Sequence, residues 1–451
     1  MSDKLNIVIL AAGKGTRIKS NTLKVLHPLA GSTVIEQILH TSKRLAPSKI
    51  IMVYGHQGNQ LQSHLANEEI IWVEQANPQG TGHAVQLALP HLDADAKIIV
   101  LVGDAPLIQS DDLQKLLQFD SAVLTAKIDN PFGYGRIIKN DNDLVEFIVE
   151  EKDADINQKQ VDEINSGIIM TTVQNLTQWL AKINKNNAQG ELYLTDILAL
   201  AHTDNMSFNA VQVKDYRTIK GINDRVQLAE CEAIKQSQLR QELMLQGVYL
   251  ANPETVQIRG TINCGQDISI DTGVILEGAN KIADDVSIGA YSVIKNCQLG
   301  KGTRIAPHSM LEGVITQGDC DIGPYARLRP GTTIGTKAKV GNFVETKKTT
   351  IGHNSKASHL TYLGDCEIGD NCNIGAGTIT CNYDGVNKFK TIIEDEVFIG
   401  SDSQLIAPVI IGKGATIGAG STITKDADAN SLTLARAKQK TITSWKKPTK
   451  K

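Results

Sequence analysis

IGSDSQLIAPVIIGKGATIGAGSTI, residues 399–423, carries an aliphatic residue at every sixth position: Ile399, Leu405, Ile411, Ile417 and Ile423. Six is neither the 3.6-residue period of a helix nor the 2-residue period of a strand. It predicts a parallel β-helix, in which each hexapeptide supplies one flat side and a turn. The same period runs upstream through Ile270, Leu276, Ile282, Ile288 and Ile294, and again through Ile322, Leu328, Ile334 and Val340. Glycine often follows, as at Gly289, Gly323, Gly335, Gly341, Gly412 and Gly418. Stacked coils bury the aliphatic side chains and place small residues at corners. Such a core needs no rings, which fits an aromatic content of only 4%. The register breaks over 378–397 (TITCNYDGVNKFKTIIEDEV). A break of this kind predicts a protruding loop, and loops often carry function.

The first half of the chain follows another rule. Leu5–Ala11 and Lys97–Val102 are continuous apolar runs, as are 49–54 and 70–74, so all four read as buried strands. Segments 34–45, 57–65 and 82–89 between them have helical spacing. Strand and helix alternating in this way predict a doubly wound, Rossmann-like α/β sheet. Ligands of such sheets sit at the carboxyl ends of strands. The glycine-rich turn after the first strand and Gly103-Asp104 after the fourth both fall there. Residues 223–246 are polar, contain no Gly or Pro, and predict one linking helix. The expected layout is therefore 1–225, a linker at 226–247, and a β-helix with its tail at 248–451.

The whole chain has 451 residues, which suits two or three units. A net charge of −3 provides no global basic field, so nucleic acid is not an expected partner. The last residues are locally basic, with Lys438, Lys440, Lys446, Lys447, Lys450 and Lys451, and read as a solvated tail. The apolar run 7–12 is too short for a signal-peptide core, and no stretch reaches 18 apolar residues. A cytoplasmic protein without a membrane span is expected. Seven cysteines show no CxxC pair, which predicts free thiols rather than disulfides or zinc.

Leu10-Ala11-Ala12-Gly13-Lys14-Gly15-Thr16-Arg17 is a strand end running into a glycine-rich turn with two cations. It is neither a Walker A loop nor GxGxxG. Successive backbone N–H groups in such a turn can cradle phosphate oxygens, and cations can neutralise them. A bare Gly-Lys-Gly would be an ordinary tight turn. The longer string, followed by Leu23-Lys24-Val25-Leu26, is more specific and resembles the signature of sugar-phosphate nucleotidyltransferases. Gln75, Gly80-Thr81-Gly82-His83-Ala84, Gly103-Asp104, Tyr134-Gly135-Arg136, Glu150-Glu151-Lys152 and Asn165-Ser166-Gly167 follow in order. With the β-helix, nearly the whole chain resembles the bifunctional family of bacterial UDP-N-acetylglucosamine synthesis. That family acetylates glucosamine 1-phosphate and then uridylylates the product, which feeds peptidoglycan and lipopolysaccharide synthesis.

The resemblance implies roles for individual residues. Leu10, Ala11, Ala12, Gly13, Gln75, Gly80 and Thr81 would hold the uracil and ribose of UTP, and Gly103 would also bind substrate. Arg17 and Lys24 would serve the triphosphate. Asp104 and Asn223 would ligate Mg²⁺, since oxygen donors suit a hard cation. Gly135, Glu150 and Asn165 would bind N-acetylglucosamine 1-phosphate. Val102 stands where the family usually has Tyr, which puts one substrate contact in doubt. In the second half, His359 matches the family's catalytic base. Arg329 and Lys347 would bind the phosphate of glucosamine 1-phosphate, and Tyr362 and Asn373 its sugar. Ala376, Asn382, Tyr383, Ser401, Ala419 and Arg436 would line the acetyl-CoA site. The resemblance also implies a left-handed winding and a homotrimer with sites between subunits.

Two other readings fit the layout. One is a single-function sugar-phosphate nucleotidyltransferase with a structural β-helix; His359, Lys347 and Asn382-Tyr383 argue against it. The other is a non-catalytic exchange-factor-like scaffold. That reading expects a degraded metal site, whereas Lys24, Asp104 and Asn223 are all present.

Overall fold

The computed structural model describes residues 4–13 and 15–450. Lys14, one of the two cations of the turn, and Lys451 of the tail lie outside them. The chain forms two compact units, Met1–Lys235 and Gln236–Lys451.

In the first unit the main sheet runs Asn209–Gln212, Ala122–Lys127, Glu163–Thr172, Lys97–Val102, Leu5–Ala11, Lys49–Tyr54, Ile71–Glu74. Leu5–Ala11 pairs in parallel with both Lys49–Tyr54 and Lys97–Val102. Their Ile, Val and Leu side chains are buried, apart from Leu10 and Val102 at the strand ends, which is why these strands read as unbroken apolar runs. The chain winds one way from Leu5–Ala11 to Ile71–Glu74, then crosses to Lys97–Val102 on the other flank. The carboxyl ends of Leu5–Ala11 and Lys97–Val102 thus lie side by side where the winding reverses, and such a point opens a crevice for ligands. The doubly wound expectation needs one amendment. Glu163–Thr172 pairs antiparallel with both neighbours, and Arg136–Lys139 with Val145–Val149 forms a hairpin off the main order.

The linking helix spans Arg225–Leu245, shorter than expected at both ends. Asn223 lies before it, and Asp224 accepts the Gln227 N–H at 2.9 Å, ending the helix there as an N-cap does. The boundary between the units falls inside this helix. On its far side Gln236, buried, donates to the Ile258 carbonyl at 2.7 Å and accepts the Ile258 N–H at 2.9 Å.

The second unit is the β-helix. Its strands, from Tyr249–Leu250 to Leu432–Thr433, pair in parallel with the coil above or below. Ile258 pairs with Leu276, Leu276 with Ile294, and Ile294 with Leu311. A coil is therefore three sides of the repeat, and some coils fall one residue short of that. The aliphatic residues of the repeat are the core: Leu276, Ile294, Leu328, Val340, Ile399 and Ile411 are at most 1% exposed. The corners take left-handed backbone. One corner carries Tyr291, His308, Tyr325 and Phe343, with φ of 56°, 59°, 55° and 57°. Their rings stack at centroid spacings of 5.4, 5.0 and 5.5 Å. The corner continues through Leu360, Gly377, Asp402 and Gly420 with φ of 46°, 77°, 57° and 72°. The register break is a local insertion. Thr349 pairs with Cys366 after one ordinary coil, whereas Cys366 reaches its partner Thr391 only after a longer one. The surplus residues leave as a loop and the ladder resumes in step. All seven cysteines are free.

Candidate active sites

The crevice of the first unit is shaped by glycines. Gly15 has φ +56°, and a Cβ there would lie 2.7 Å from Cβ of Lys24. The turn can fold onto Lys24 only because position 15 has no side chain. Gly103 donates its N–H to the Leu10 carbonyl at 2.9 Å, and a Cβ there would sit 2.7 Å from that same oxygen. Gly103→Ala should therefore push the two strand ends apart. A loss of uridylyl transfer of at least about tenfold is expected, with the β-helix reaction unchanged; equal rates in both reactions would contradict the close approach.

Lys24 Nζ donates to Asp104 Oδ2 at 2.5 Å, and their side chains are 10% and 26% exposed. A Cβ on Gly221 would lie 3.6 Å from Asp104 Oδ1 and 3.9 Å from Asn223 Nδ2, so both side chains converge on one point. The backbone reinforces this, because Ile222 N–H donates to the Asp104 carbonyl at 2.9 Å. The two expected metal ligands are therefore neighbours. Among the described residues no group of three or more His, Cys, Asp or Glu could hold a metal. One carboxylate and one amide suit Mg²⁺, which is held by few protein groups and completes its shell with water and substrate phosphates. Arg17 is exposed on the turn. His27, which the sequence reading passed over, is buried 3.5 Å from the guanidinium of Arg225. It brings the Lys24 segment against the start of the linking helix.

Gln75 is buried and donates to the Gly80 carbonyl at 3.1 Å. Leu192 closes over this turn, with the Gly82 N–H on its carbonyl at 2.8 Å and its own N–H on Gln79 at 2.7 Å. Thr81 Oγ1 accepts the Leu194 N–H at 3.0 Å, so this hydroxyl holds the covering segment.

Gly135, Glu150 and Asn165 also meet. The Asn165 N–H donates to the Gly135 carbonyl at 2.9 Å, and a Cβ on Gly135 would lie 3.3 Å from Glu150 Oε2. Val102, in place of the family's Tyr, packs against Gly167, where a Cβ would come within 2.9 Å of its Cγ1. Burial pushes Glu150 above the usual carboxylate range, against the opposing hydrogen bond that Thr195 donates at 3.2 Å. Thr195, Tyr193 and Asp196 were not foreseen, because no motif marks them. Burial and then the nearby charge of Asp153 raise Asp196 from 3.8 to about 6. A carboxylate raised on folding destabilises the fold once ionised. The cost is absent below 3.8, grows through the window from 3.8 to about 6, and persists above it. Asp196→Asn should therefore raise the unfolding midpoint of the N-terminal unit at about pH 7 more than at about pH 4.5. A gain independent of pH would rule this cause out.

In the β-helix, His359 is exposed and its Nδ1 lies 2.9 Å from Asn342 Oδ1. Ladder pairings continue its position upward, one coil at a time: Ala357 with Ile374, Ile374 with Ile399, Ile399 with Ile417. The left-handed corner at Leu360, Gly377, Asp402 and Gly420 keeps the same step. His359, Ala376, Ser401 and Ala419 thus form one column. Arg436 ends it, donating to the Ala419 carbonyl at 2.8 Å. With coils about 4.8 Å apart, Ala419 stands about 14 Å above His359 along a track of small residues.

A second column lies beyond the Leu360 corner. Arg329 N–H bonds the Thr346 carbonyl at 2.9 Å, and Lys347 pairs with Gly364. A Cβ on Gly364 would run into the Tyr362 hydroxyl, so that ring lies over the glycine. Lys388, on the inserted loop and unforeseen, joins this cluster. Its ammonium is the main reason the Lys347 pKa is lowered, with Arg329 adding to the effect. Crowded cations of this kind want an anion between them. Arg329 meanwhile donates to Glu345 at 2.9 Å. Asn373 lies on the His359 side, stacked on Lys356. Asn382 is buried and donates to Asp365 at 2.5 Å, so its side chain anchors the loop, while Tyr383 stays exposed. The expected acetyl-transfer residues therefore divide between two sides of one corner.

These features define a two-unit transferase, a nucleotide-handling α/β sheet joined to a hexapeptide-repeat β-helix. Residues 7–136 match the MobA-like NTP transferase domain. Residues 367–387 match the hexapeptide repeat of succinyl-transferase, and 390–425 the bacterial transferase hexapeptide. The bifunctional protein GlmU of Pseudoalteromonas atlantica is 50% identical over 449 residues, 99% of each chain. The chain belongs to the family of the bifunctional protein GlmU. A solved structure assigned as a glucose-1-phosphate thymidylyltransferase, from Bacillus anthracis with sucrose, is 19% identical and covers 51% of this chain and 94% of its own. Its TM-score is 0.42. Among the described residues, no helix is long and apolar enough to cross a membrane.

Proposed function

We propose that the β-helix acetylates glucosamine 1-phosphate with acetyl-CoA and that the α/β unit then transfers UMP from UTP to N-acetylglucosamine 1-phosphate, releasing pyrophosphate. The observation that carries this reading is the pair of separate constellations, Lys24, Asp104 and Asn223 in one unit and the His359 column in the other. The reactions take place in the cytoplasm and supply UDP-N-acetylglucosamine for cell-wall precursors.

In the first unit, Gln75, Gly80 and Thr81 shape the nucleoside pocket with the backbone of Leu10, Ala11, Ala12, Gly13 and Gly103. Glu150, Gly135 and Asn165 orient the sugar so that its phosphate oxygen faces the α-phosphorus of UTP. Lys24 leaves Asp104 and, with Arg17, takes up triphosphate charge. Asp104 and Asn223 would hold Mg²⁺, which would supply charge neutralisation for the phosphates; the P–O bond to pyrophosphate breaks as the sugar phosphate oxygen bonds the α-phosphorus. Such transfer asks a protein mainly for positioning and for charge stabilisation.

In the second unit, Arg329, Lys347 and Lys388 hold the sugar phosphate, and Tyr362 and Asn373 the glucosamine. The amine attacks the thioester carbonyl; a C–N bond forms, the C–S bond breaks and the thiolate of CoA leaves. His359 takes the proton that the amine sheds. The pantetheine arm lies along Ala376, Ser401 and Ala419, with Arg436 and the basic tail near the CoA phosphates, and Tyr383 on the loop at its side. Because His359 precedes the Leu360 corner and Tyr362 and Lys347 follow it, a full site needs the two faces of neighbouring subunits, which favours a homotrimer.

The direct test is to supply acetyl-CoA, UTP and Mg²⁺ with glucosamine 1-phosphate in one reaction and N-acetylglucosamine 1-phosphate in another. UDP-N-acetylglucosamine is expected from both, and only the first should need acetyl-CoA. Product from the second alone would favour the single-function reading.

A further inference from the structure

We propose that Asn342 is a positioning residue for acetyl transfer, holding His359 in the tautomer that can accept the amine proton; this rests on the reading of His359 as the base. Asn342 and His359 are ladder partners on adjacent coils. The stacking of coils therefore fixes the two side chains next to each other. The Asn342 Oδ1 atom faces His359 Nδ1 at 2.9 Å. A carboxamide oxygen can only accept, so Nδ1 carries the hydrogen and the lone pair is left on Nε2. Among the described residues, no hydrogen bond engages Nε2. The next residues up the column are Ala376 and Ser401, too small to cover the ring. The residue's own backbone is held as well, because Thr361 Oγ1 donates to the His359 carbonyl at 2.6 Å.

The chemical type of the partner matters. A carboxylate at position 342 would also orient the ring, but it would favour imidazolium, which has no lone pair to offer. The neutral amide orients the ring without adding a negative charge that would favour imidazolium. Asn342 is half-buried on the strand Lys339–Ile351, whose aliphatic residues enter the core, so its own direction is set by the coil.

The test uses the full-length protein with Asn342→Ala, Asn342→Asp and His359→Ala, each assayed for both reactions. Asn342→Ala is expected to lower kcat for acetyl transfer on the order of tenfold, with KM for glucosamine 1-phosphate nearly unchanged. Asn342→Asp should recover much of that rate at alkaline pH and move the acidic limb of the profile to higher pH. A purely structural role for Asn342 would leave the position of that limb unmoved. If His359→Ala is inactive in acetyl transfer while both Asn342 variants keep wild-type kcat and pH profile, the positioning role is wrong. If His359→Ala keeps its activity, the reading of His359 as base is what fails. Should Asn342→Ala not fold, the limb shift in Asn342→Asp decides alone.

Discussion

His359→Ala is expected to slow acetyl transfer by about 10²- to 10⁴-fold while uridylyl transfer stays within about twofold. The size follows from what a positioned base contributes. An amine becomes a good acyl acceptor only as its proton leaves, and the column around His359 offers no second group for that proton: Ala376 and Ala419 carry none, and Ser401 is a poor base. The selectivity follows from where His359 sits. It is exposed on the β-helix and packs into no core, so its loss opens no cavity. Assaying each reaction separately on one preparation of the variant provides the check. Loss of both activities in a folded protein would mean that the sites are not separate.

Asp104→Ala should do the reverse, removing uridylyl transfer by on the order of 10³-fold and sparing acetyl transfer. Two losses combine. The carboxylate proposed to hold Mg²⁺ disappears, and Lys24, only 10% exposed, loses the anion it now contacts. An uncompensated ammonium at that depth also costs stability. Asp104→Asn separates the two effects, since it keeps the shape and a neutral acceptor for Lys24. If Asp104→Asn retained full activity at limiting Mg²⁺, the carboxylate would not be the metal ligand.

Sequence alone exposed those parts whose period is unbroken. The strands Leu5–Ala11 and Lys97–Val102 are buried on both faces and read as apolar runs, so the crevice between their ends was visible beforehand. The antiparallel strand Glu163–Thr172 was not. Its register shifts between Asn165 and Ile169, at the segment that approaches the sugar-binding cluster, and alternation is lost there. In the β-helix the six-residue period gave away the coil. The coils around His359 fall one residue short of three full repeats, however, and only the pairing reveals that Asn342 is its neighbour. Lys388 escaped for the opposite reason, because it lies in the inserted loop, where no period operates. Thr195 and Asp196 act through burial, which no short motif encodes.

The stacked coil carries a consequence for how such a chain can change through evolution. His359, Ala376, Ser401 and Ala419 line up because each is a whole number of coils from the next, so spacing is what their geometry inherits. Substitutions at a corner or a side leave that spacing alone. Coils that differ by one residue both hold the register, as the pairings of Leu276 with Ile294 and of Ile294 with Leu311 show, so a side can lose one residue, but a larger deletion between His359 and Ala419 would move later positions off their column. Larger changes of length keep the columns only where the extra residues leave and re-enter at the same rung. The excursion between Cys366 and Thr391 does so. Drift in this unit should accordingly show many replacements and few indels, with length variation gathered at that excursion and in the tail beyond Arg436.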